Sequence, residues 1–308
     1  MAPCTPTSSS TLSLSVIIGV YNDWAPLDQC LGTLAQQTDS PAFEVIVVDD
    51  GSPESAPESI RQWARAYPLT IDRQPHAGIA AARNRGVQIS KGSLLLFVDA
   101  DCKLQAGCLA ALAATATKSP QHSFFQLHLA GDCSGIVGRA EELRLMTIQN
   151  HTLQPSGCIR YLNTAGFAIR RTRANPETGP FNPAARRGED TLLLVSLMRS
   201  GELPLYVANA TVQHAVPLSL LQYLRKSVRS AYLEAGTYSL IASQGIRIRV
   251  TNRERLEMLS SMWQASAQPT IGRTAWFVLL VRQALPRVVS LISRFTRSKS
   301  IGKSDSSS

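Results

Sequence analysis

The feature that most constrains the fold is an alternation of continuous apolar runs with stretches of helical periodicity in the first third of the chain. Residues 14–20, 43–48 and 93–98 are apolar almost throughout, which is typical of strands that are buried on both faces of a sheet. Apolar side chains recur at helical spacing over about residues 25–37, and a further helix is predicted over residues 78–90. This alternation predicts an α/β fold, with a mixed, mainly parallel sheet flanked by helices.

Polar side chains follow each of the three apolar runs. Tyr21 follows the first run, Asp50 the second, and Asp99 and Asp101 the third. Ligands of parallel sheets bind beyond the carboxyl ends of the strands, so we expect these side chains to share one site. Two carboxylates one residue apart suit Mg²⁺ or Mn²⁺, because such ions bind one or two carboxylates and complete their shell with phosphate oxygens and water. The alternative is that these residues only mark the passage from strand to loop.

Five motifs occur in a fixed order between about residues 13 and 215: S-V-I-I-G-V-Y-N, V-I-V-V-D-D-G-S, G-I-A-A-A-R-N-R-G, L-F-V-D-A-D and G-E-D. Together they resemble glycosyltransferase family 2, the inverting enzymes that use nucleotide sugars and have the GT-A fold, which is Rossmann-like. The resemblance implies the same fold here, with a C-terminal helical appendage. It also implies a nucleotide-diphosphate sugar as donor, a UDP-sugar being the expected one, and Mn²⁺ or Mg²⁺ as cofactor.

The resemblance assigns residues to the donor site. Asp50 is expected to contact the base, Tyr21 to line its pocket, and Arg83 to lie near the nucleotide or its diphosphate. Asp101 is expected to be the main metal ligand, with Asp99 nearer the ribose or metal-bound water. The full set of expected donor-binding residues is Val20, Tyr21, Asn22, Asp50, Gly78, Arg83, Asp99 and Ala100.

The sequence Gly188-Glu189-Asp190 precedes another stretch of helical periodicity. Acidic residues also favour the positive end of a helix dipole, so an ordinary helix start is the alternative. An inverting transfer needs a base on the face of the sugar opposite the leaving diphosphate. The resemblance implies that Asp190 is this base and that Glu189 binds or orients the acceptor. Since a metal ion would stabilise the negative charge of the leaving diphosphate, no general acid is expected to protonate this group.

Three more residues complete the expected site. Residues 161–171 look like a strand with small side chains, and the resemblance implies that Asn163 and Ala165 lie near the donor sugar and the acceptor. A glycine in such a strand also marks a bulge or close packing, which is the alternative. His214 follows a short apolar run, and the resemblance implies a further metal ligand, which would shift the preference from Mg²⁺ toward Mn²⁺. A structural histidine is the alternative.

The net charge of +9 is concentrated at the C-terminal end of the chain. Residues 217–308 hold 14 Lys and Arg against 4 Asp and Glu, whereas residues 1–216 hold 17 against 18. This distribution, without a nucleic-acid-binding motif, argues against nucleic acid as a partner. Residues 274–295 can form an apolar stripe with arginines around it, which predicts a helix that lies on an anionic membrane surface. The alternative is a helix that packs this stripe against the catalytic domain; charges within the run argue against a membrane-spanning helix.

Four segments are predicted: a flexible N-terminus over residues 1–12, a catalytic domain over 13–216, a basic helical region over 217–296 and a disordered tail over 297–308. The first residues show no cationic segment followed by a long apolar run, so a secretory signal is not expected. The expected location is the cytoplasm or, by peripheral binding, the inner face of the cell membrane.

The predicted function is metal-assisted, inverting transfer of a sugar to a hydroxyl of a glycan or a lipid-linked saccharide. One alternative is a sugar-phosphate nucleotidyltransferase, which would need a phosphate-cradling Gly-rich loop that residues 19–22 do not provide. Another is a catalytically idle, membrane-associated protein that binds a nucleotide sugar. The presence of Asp99, Asp101 and Asp190 argues against the idle protein.

Overall fold

The computed structural model describes residues 13–185, 187–214, 218–243 and 252–285. The predicted N-terminal segment 1–12 and the predicted tail 297–308 lie outside these ranges. The strands of the described residues are β1 (Leu14–Val20), β2 (Phe43–Asp49), β3 (Leu69–Arg73), β4 (Leu94–Asp99), β5 (Cys102–Leu104), β6 (Phe124–Gly131), β7 (Phe167–Arg170) and β8 (Leu205–His214). The α-helices are α1 (Trp24–Ala35), α2 (Glu58–Arg61), α3 (Ile79–Ile89), α4 (Cys108–Lys118), α5 (Ile136–Thr152), α6 (Glu189–Arg199), α7 (Leu220–Ser243), α8 (Asn252–Ala265) and α9 (273–285).

The strands form a mixed sheet in the order β3-β2-β1-β4-β7-β6-β8-β5. Strand β1 pairs in parallel with β2 and β4, and β2 pairs in parallel with β3. Strand β7 is antiparallel to both β4 and β6. The predicted α/β fold with a mixed, mainly parallel sheet is confirmed.

The strand register places the carboxyl ends of β1, β2 and β4 at one edge of the sheet. Val20 lies opposite Asp49 on β2, and Gly19 lies opposite Asp99 on β4. The residues that follow these three strands therefore leave the sheet side by side.

Helix α3 lies directly on strand β1. A Cβ atom built on Gly86 would stand 2.3 Å from Cγ2 of Ile17, well inside contact distance, so only glycine fits at this crossing. Helix α1 buries Leu27, Leu31 and Leu34, as the predicted helical periodicity requires. These helices cover apolar strands whose side chains are almost fully buried.

Internal contacts divide the chain into two compact units. Unit 1 comprises residues 13–128, 164–180 and 204–211 and contains helices α1 to α4 with most of the sheet. Unit 2 comprises residues 129–163 and 181–203 and the described part of the chain from 212 onward. It contains helices α5 to α9.

The core of unit 2 joins α9 to α5, α7 and α8. Its members are Val137, Ala140 and Leu143 of α5, Tyr223 of α7, Met262 of α8, and Ala275, Val278 and Leu279 of α9. One face of α9, formed by Ala275, Val278 and Leu279, therefore packs against other helices of the unit. Residues 286–295 of the predicted apolar stripe lie outside the described residues, so the choice between membrane contact and packing of this stripe stays a prediction. Among the described residues, no helix has a stretch that is both long and apolar enough to pass through a bilayer.

A buried ion pair lies in the same unit. Nε of Arg144 donates a hydrogen bond of 2.9 Å to one carboxylate oxygen of Glu141, and the hydroxyl of Tyr223 donates one of 2.9 Å to the other. Burial alone would raise the pKa of Glu141, but the charges of Arg144 and Arg282 and these hydrogen bonds outweigh it and lower the pKa to about 2. The carboxylate is therefore ionised in the folded protein.

Candidate active site

Asp50 organises the loop that leads into helix α3. Its Oδ1 accepts hydrogen bonds from the backbone N–H of Ala77 at 2.9 Å and from Nε2 of Gln74 at 2.8 Å, and its Oδ2 accepts one from the N–H of Gly78 at 2.9 Å. The residue is only 3% exposed. Both carboxylate oxygens therefore hold the loop, a role that the sequence did not suggest.

Gly78 is the residue before α3, and its φ of 93° lies in the region that favours glycine. A Cβ atom at this position would meet no heavy atom within 4 Å, so the space in front of the helix is open. The N-terminus of a helix attracts anions, because unpaired N–H groups and the helix dipole both point outward. The sequence prediction that Gly78 lies in the donor site is consistent with this geometry.

His76 and Tyr21 form an exposed aromatic pair beside Asp50. Their ring centroids are 4.6 Å apart with a tilt of 40°. Tyr21 is 47% exposed, and Nδ1 of His76 lies 2.9 Å from Oδ2 of Asp50 and 3.1 Å from its carbonyl oxygen. Sequence reasoning missed His76, since it lies in a loop without periodicity; its position two residues before Gly78 was the available signal.

A second set of hydrogen bonds ties the end of β1 to the end of β2. The N–H of Asn22 donates to Oγ of Ser52 at 2.8 Å, and the N–H of Ser52 donates to Oδ1 of Asp49 at 2.8 Å. Asn22 has a φ of 58°, a conformation that asparagine tolerates better than most residues. Ser52 and Asp49 are buried, and through these hydrogen bonds they hold the backbone of Asn22 in place.

Arg83 of α3 forms an ion pair with Asp99 at the end of β4. The guanidinium Nη2 lies 2.5 Å from Oδ1 of Asp99, and the side chains are 3% and 30% exposed. Arg83 therefore reaches the first carboxylate of the D-x-D motif, as expected for residues that share one site. The side chains of Val20 and Ala100 are buried and belong to the core.

Asp101 is half-buried and immediately precedes β5. The next residue, Cys102, is fully buried; burial raises the pKa of its thiol, and the nearby carboxylates of Asp99 and Asp101 raise it further. The thiol of Cys102 is therefore protonated and carries no charge. The carboxylate oxygens of Asp99 and Asp101 are of the kind that Mg²⁺ and Mn²⁺ bind in proteins.

Glu189 and Asp190 form the first turn of α6 in unit 2. Gly188, with a φ of 80°, is the N-cap residue, and the two carboxylates follow it directly. Glu189 is buried, whereas Asp190 is half-buried, and its Oδ1 accepts a hydrogen bond of 2.6 Å from the N–H of Thr191. This position fits both the proposed role and an ordinary helix start, because the dipole at a helix N-terminus favours negatively charged residues.

Asn163, also in unit 2, donates a hydrogen bond of 3.1 Å from Nδ2 to the hydroxyl of Tyr161. Burial raises the pKa of Tyr161, and the negative charges of Asp190 and Glu141 add to the effect, against the opposing charge of Arg144. Tyr161 and Asn163 therefore lie in the electrostatic field of the predicted base.

The remaining predicted residues occupy the following positions. Ala165 lies in a buried 3₁₀ turn, Thr164–Gly166, just before β7. His214 is the half-buried last residue of β8, three residues after Thr211, whose carbonyl accepts a hydrogen bond of 3.0 Å from the N–H of Gln105. Imidazole and carboxylate oxygens are both ligands that Mn²⁺ accepts, so the chemistry of the predicted donor set fits a divalent cation.

A family model described as Glycosyl transferase family 2 matches residues 15–177, which is more than half of the 308-residue chain. The chain belongs to glycosyltransferase family 2. Four of the five motifs lie within the matched segment, and the fifth, which contains Asp190, lies beyond its end. The predicted family is thus confirmed.

Several curated proteins are similar to this member of family 2 over part of their length. The uncharacterized glycosyltransferase YibD of Escherichia coli K12 is 39% identical over 94 residues, which are 30% of this chain and 27% of YibD. The glycosyltransferase AglE of Haloferax volcanii is 42% identical over 100 residues, 30% of this chain and 32% of AglE. A validoxylamine A glucosyltransferase of Streptomyces hygroscopicus subsp. limoneus is 39% identical over 102 residues, 32% of this chain and 22% of the enzyme. Each match spans less than a third of the relative's length.

Solved structures show the same fold at low sequence identity. The mannosyltransferase PcManGT from Pyrobaculum calidifontis, in complex with GDP-Man and Mn²⁺, has a TM-score of 0.58 at 17% identity and covers 94% of this chain and 81% of PcManGT. S. aureus TarS 1–349, in complex with UDP-GlcNAc, has a TM-score of 0.56 at 16% identity and covers 92% of each chain. The family 2 chain therefore has the GT-A fold.

Proposed function

We propose that this family 2 protein transfers a sugar from a nucleotide diphosphate to a hydroxyl acceptor, with inversion at the anomeric carbon. One observation carries the proposal: the carboxyl ends of β1, β2 and β4 bring Tyr21, Asp50 and the Arg83–Asp99 pair to one edge of the sheet. Membership of the family supports it. The solved structures of PcManGT with GDP-Man and of TarS with UDP-GlcNAc support a nucleotide-sugar donor.

In the proposed donor complex, the aromatic pair of Tyr21 and His76 lines the pocket of the base, which belongs to a UDP-sugar. Asp50 keeps this pocket in place and contacts the base from its buried position. Arg83 neutralises charge near the diphosphate, with Asp99 on the side of the ribose. Val20, Asn22, Gly78 and Ala100 complete the pocket, mainly through their backbone.

The proposed metal ligands are Asp101, Asp99 and His214, and the ion is Mn²⁺ or Mg²⁺. When bound, the ion supplies positive charge that stabilises the diphosphate as it leaves. The presence of Mn²⁺ in the PcManGT complex supports this assignment. Mutation of Asp101 should remove most of the metal dependence, because Asp101 is the proposed main ligand of the ion.

Asp190 is the proposed base. Its carboxylate takes the proton from the acceptor hydroxyl, the acceptor oxygen forms a bond to the anomeric carbon, and the bond from that carbon to the diphosphate oxygen breaks. Glu189, Asn163 and Ala165 are proposed to orient the acceptor, which is a glycan or a lipid-linked saccharide. The half-buried position of Asp190 in the first turn of α6 supports this assignment.

Thermal unfolding with UDP, GDP, dTDP and CDP, each with and without Mn²⁺, tests the donor site. A ligand at 100 times its Kd adds about 2.7 kcal/mol, so one nucleotide should raise Tm by several degrees when the metal is present. Asp101→Ala should remove the metal-dependent part of this shift, whereas the matched variant Asp72→Ala should keep it. Asp72 pairs with Arg85 away from the predicted metal ligands.

Donor hydrolysis and transfer assays with Asp190→Asn test the base. The variant should keep the nucleotide-dependent Tm shift and lose at least about a hundredfold in transfer rate. Transfer at the wild-type rate would exclude Asp190 as the base. Nucleotide binding by the wild-type protein, with neither hydrolysis nor transfer on any acceptor, would favour the idle binding protein instead.

We also propose that the protein acts in the cytoplasm, at the inner face of the cell membrane. The concentration of positive charge in residues 217–308 supports an anionic membrane surface as its partner.

A further inference from the structure

Three aromatic side chains form a continuous row across helices α8 and α9. The ring centroids of Trp263 and Trp276 are 4.9 Å apart, and those of Trp276 and Phe277 are 5.2 Å apart, both pairs nearly perpendicular. Trp276 packs against the core of unit 2, and its Nε1 donates to the carbonyl of Leu259 at 3.3 Å. Trp263 and Phe277, at the ends of the row, are 42% and 56% exposed. The row is anchored at its centre and open to solvent at both ends.

Helix α9 has a second apolar face besides the one in the core. Phe277, Val281 and Ala284 follow one another at intervals of four and three residues, so they share one side of the helix. Phe277 and Val281 are 56% and 49% exposed, and Ala284 is exposed as well. This face is therefore not required for the packing of unit 2.

Arg273 places a positive charge beside this apolar surface, in a part of the sequence that is rich in basic residues. The guanidinium of Arg273 lies 3.7 Å from the ring centroid of Trp263 and is exposed. Residues 252–285 contain four arginines against two glutamates, and residues 286–308 contain five Lys and Arg against one Asp. A nucleic-acid or acidic-protein partner would match the charge alone, whereas the apolar face also requires a partner with a hydrophobic interior.

We propose that Arg273, Trp263, Trp276, Phe277, Val281 and Ala284 form a docking patch for an anionic phospholipid bilayer. Indole and phenyl rings insert at the level of the headgroups, where one part of the side chain is in an apolar environment and the other is hydrated. Arginine side chains beside them pair with lipid phosphates. The patch assigns the proposed membrane contact to one face of the protein. This assignment does not depend on the transfer reaction.

Binding of the full chain to vesicles tests the patch. The vesicles contain phosphatidylcholine alone or equal parts of phosphatidylcholine and phosphatidylglycerol, and binding is followed by co-sedimentation and by the blue shift of tryptophan emission. We expect binding to the anionic vesicles that weakens with salt. The double variant Phe277→Ser/Val281→Ser should bind at least about tenfold more weakly, because two apolar side chains no longer enter the bilayer.

The matched control is Leu221→Ser/Tyr232→Ser on helix α7. Leu221 and Tyr232 are 57% and 83% exposed, so this variant removes as much exposed apolar surface outside the patch. It should bind like the wild-type protein. Circular dichroism melting should show all three proteins equally folded, since the four side chains lie outside the core.

Any of three results would overturn the proposal, the first two of them in vesicle binding and the third in light scattering. The first is equal vesicle binding by the two double variants, and the second is no vesicle binding by the folded wild-type protein. The third is a wild-type dimer in light scattering that becomes a monomer in Phe277→Ser/Val281→Ser, which would assign the face to a second copy of the chain. These experiments measure no sugar transfer. A failure of the membrane patch therefore stays distinct from a failure of the proposed activity.

Discussion

The substitution Asp50→Asn tests whether this carboxylate stabilises the folded protein or serves only to contact the base of the nucleotide. In the wild-type protein, the N–H groups of Ala77 and Gly78 donate to different oxygens of Asp50. Asparagine has one acceptor oxygen, so one of these two N–H groups would face an NH₂ group. A donor that loses its acceptor costs about 1–3 kcal/mol, and the remaining hydrogen bond loses the strengthening effect of the negative charge. We expect a total loss of about 2–4 kcal/mol.

Urea unfolding followed by circular dichroism measures this loss in the absence of any nucleotide, and a matching fall in Tm of about 5–10 °C is expected. Asp72→Asn is the control, because Asp72 forms a half-exposed ion pair with Arg85, with side chains 27% and 43% exposed. Such a pair contributes about 0–1 kcal/mol. Equal stability of Asp50→Asn and Asp72→Asn would refute a stabilising role of Asp50. Contact with the base of the nucleotide would then be its only proposed function.

Three other predictions follow from described contacts. Lowering the pH from about 4.5, the ordinary pKa of a glutamate, to about 2 should cost the wild-type protein about 3 kcal/mol of stability, because the pKa of Glu141 is lower in the folded state and each pKa unit corresponds to about 1.4 kcal/mol. Glu141→Gln should lack this part of the acid dependence of urea unfolding. His76→Ala should weaken nucleotide binding about tenfold in calorimetry, and His76→Phe, which keeps a ring beside Tyr21, should restore at least part of it. Gly86→Ala should lower stability by about 1–3 kcal/mol, because the new methyl group meets Ile17 at 2.3 Å; an unchanged Tm would show that α3 can shift.

The strands that carry the candidate site could be predicted because they are buried on both faces. Such strands need apolar residues at nearly every position, so β1, β2 and β4 stand out as continuous runs and their polar ends are evident. The order of these strands in the sheet is not contained in the runs. The pairing of Arg83 with Asp99 depends on that order, and so does the position of Asp50 under the loop before α3.

The predicted strand over residues 161–171 is shorter in the structure. Residues Thr164–Gly166 form a 3₁₀ turn, and β7 comprises only Phe167–Arg170, the four residues that pair with β4. The side-chain composition of a segment does not show where its pairing with the neighbouring strand begins. For this reason the predicted strand starts earlier than β7. Periodicity has a similar limit in α9, because a helix with two apolar faces does not reveal which of them is buried.

The division of the chain into units limits where this chain can be cut or recombined. The chain passes between the units five times, so neither unit is one continuous piece of sequence. A fragment that ends at residue 216 would keep α5 but lose its neighbours in α7, α8 and α9, and the surface of Val137, Ala140 and Leu143 would face water. Exposed apolar surface of this kind promotes aggregation. Because α5 shares its core with the C-terminal helices, an exchange of α7, α8 and α9 with those of a relative would require exchange of α5 as well.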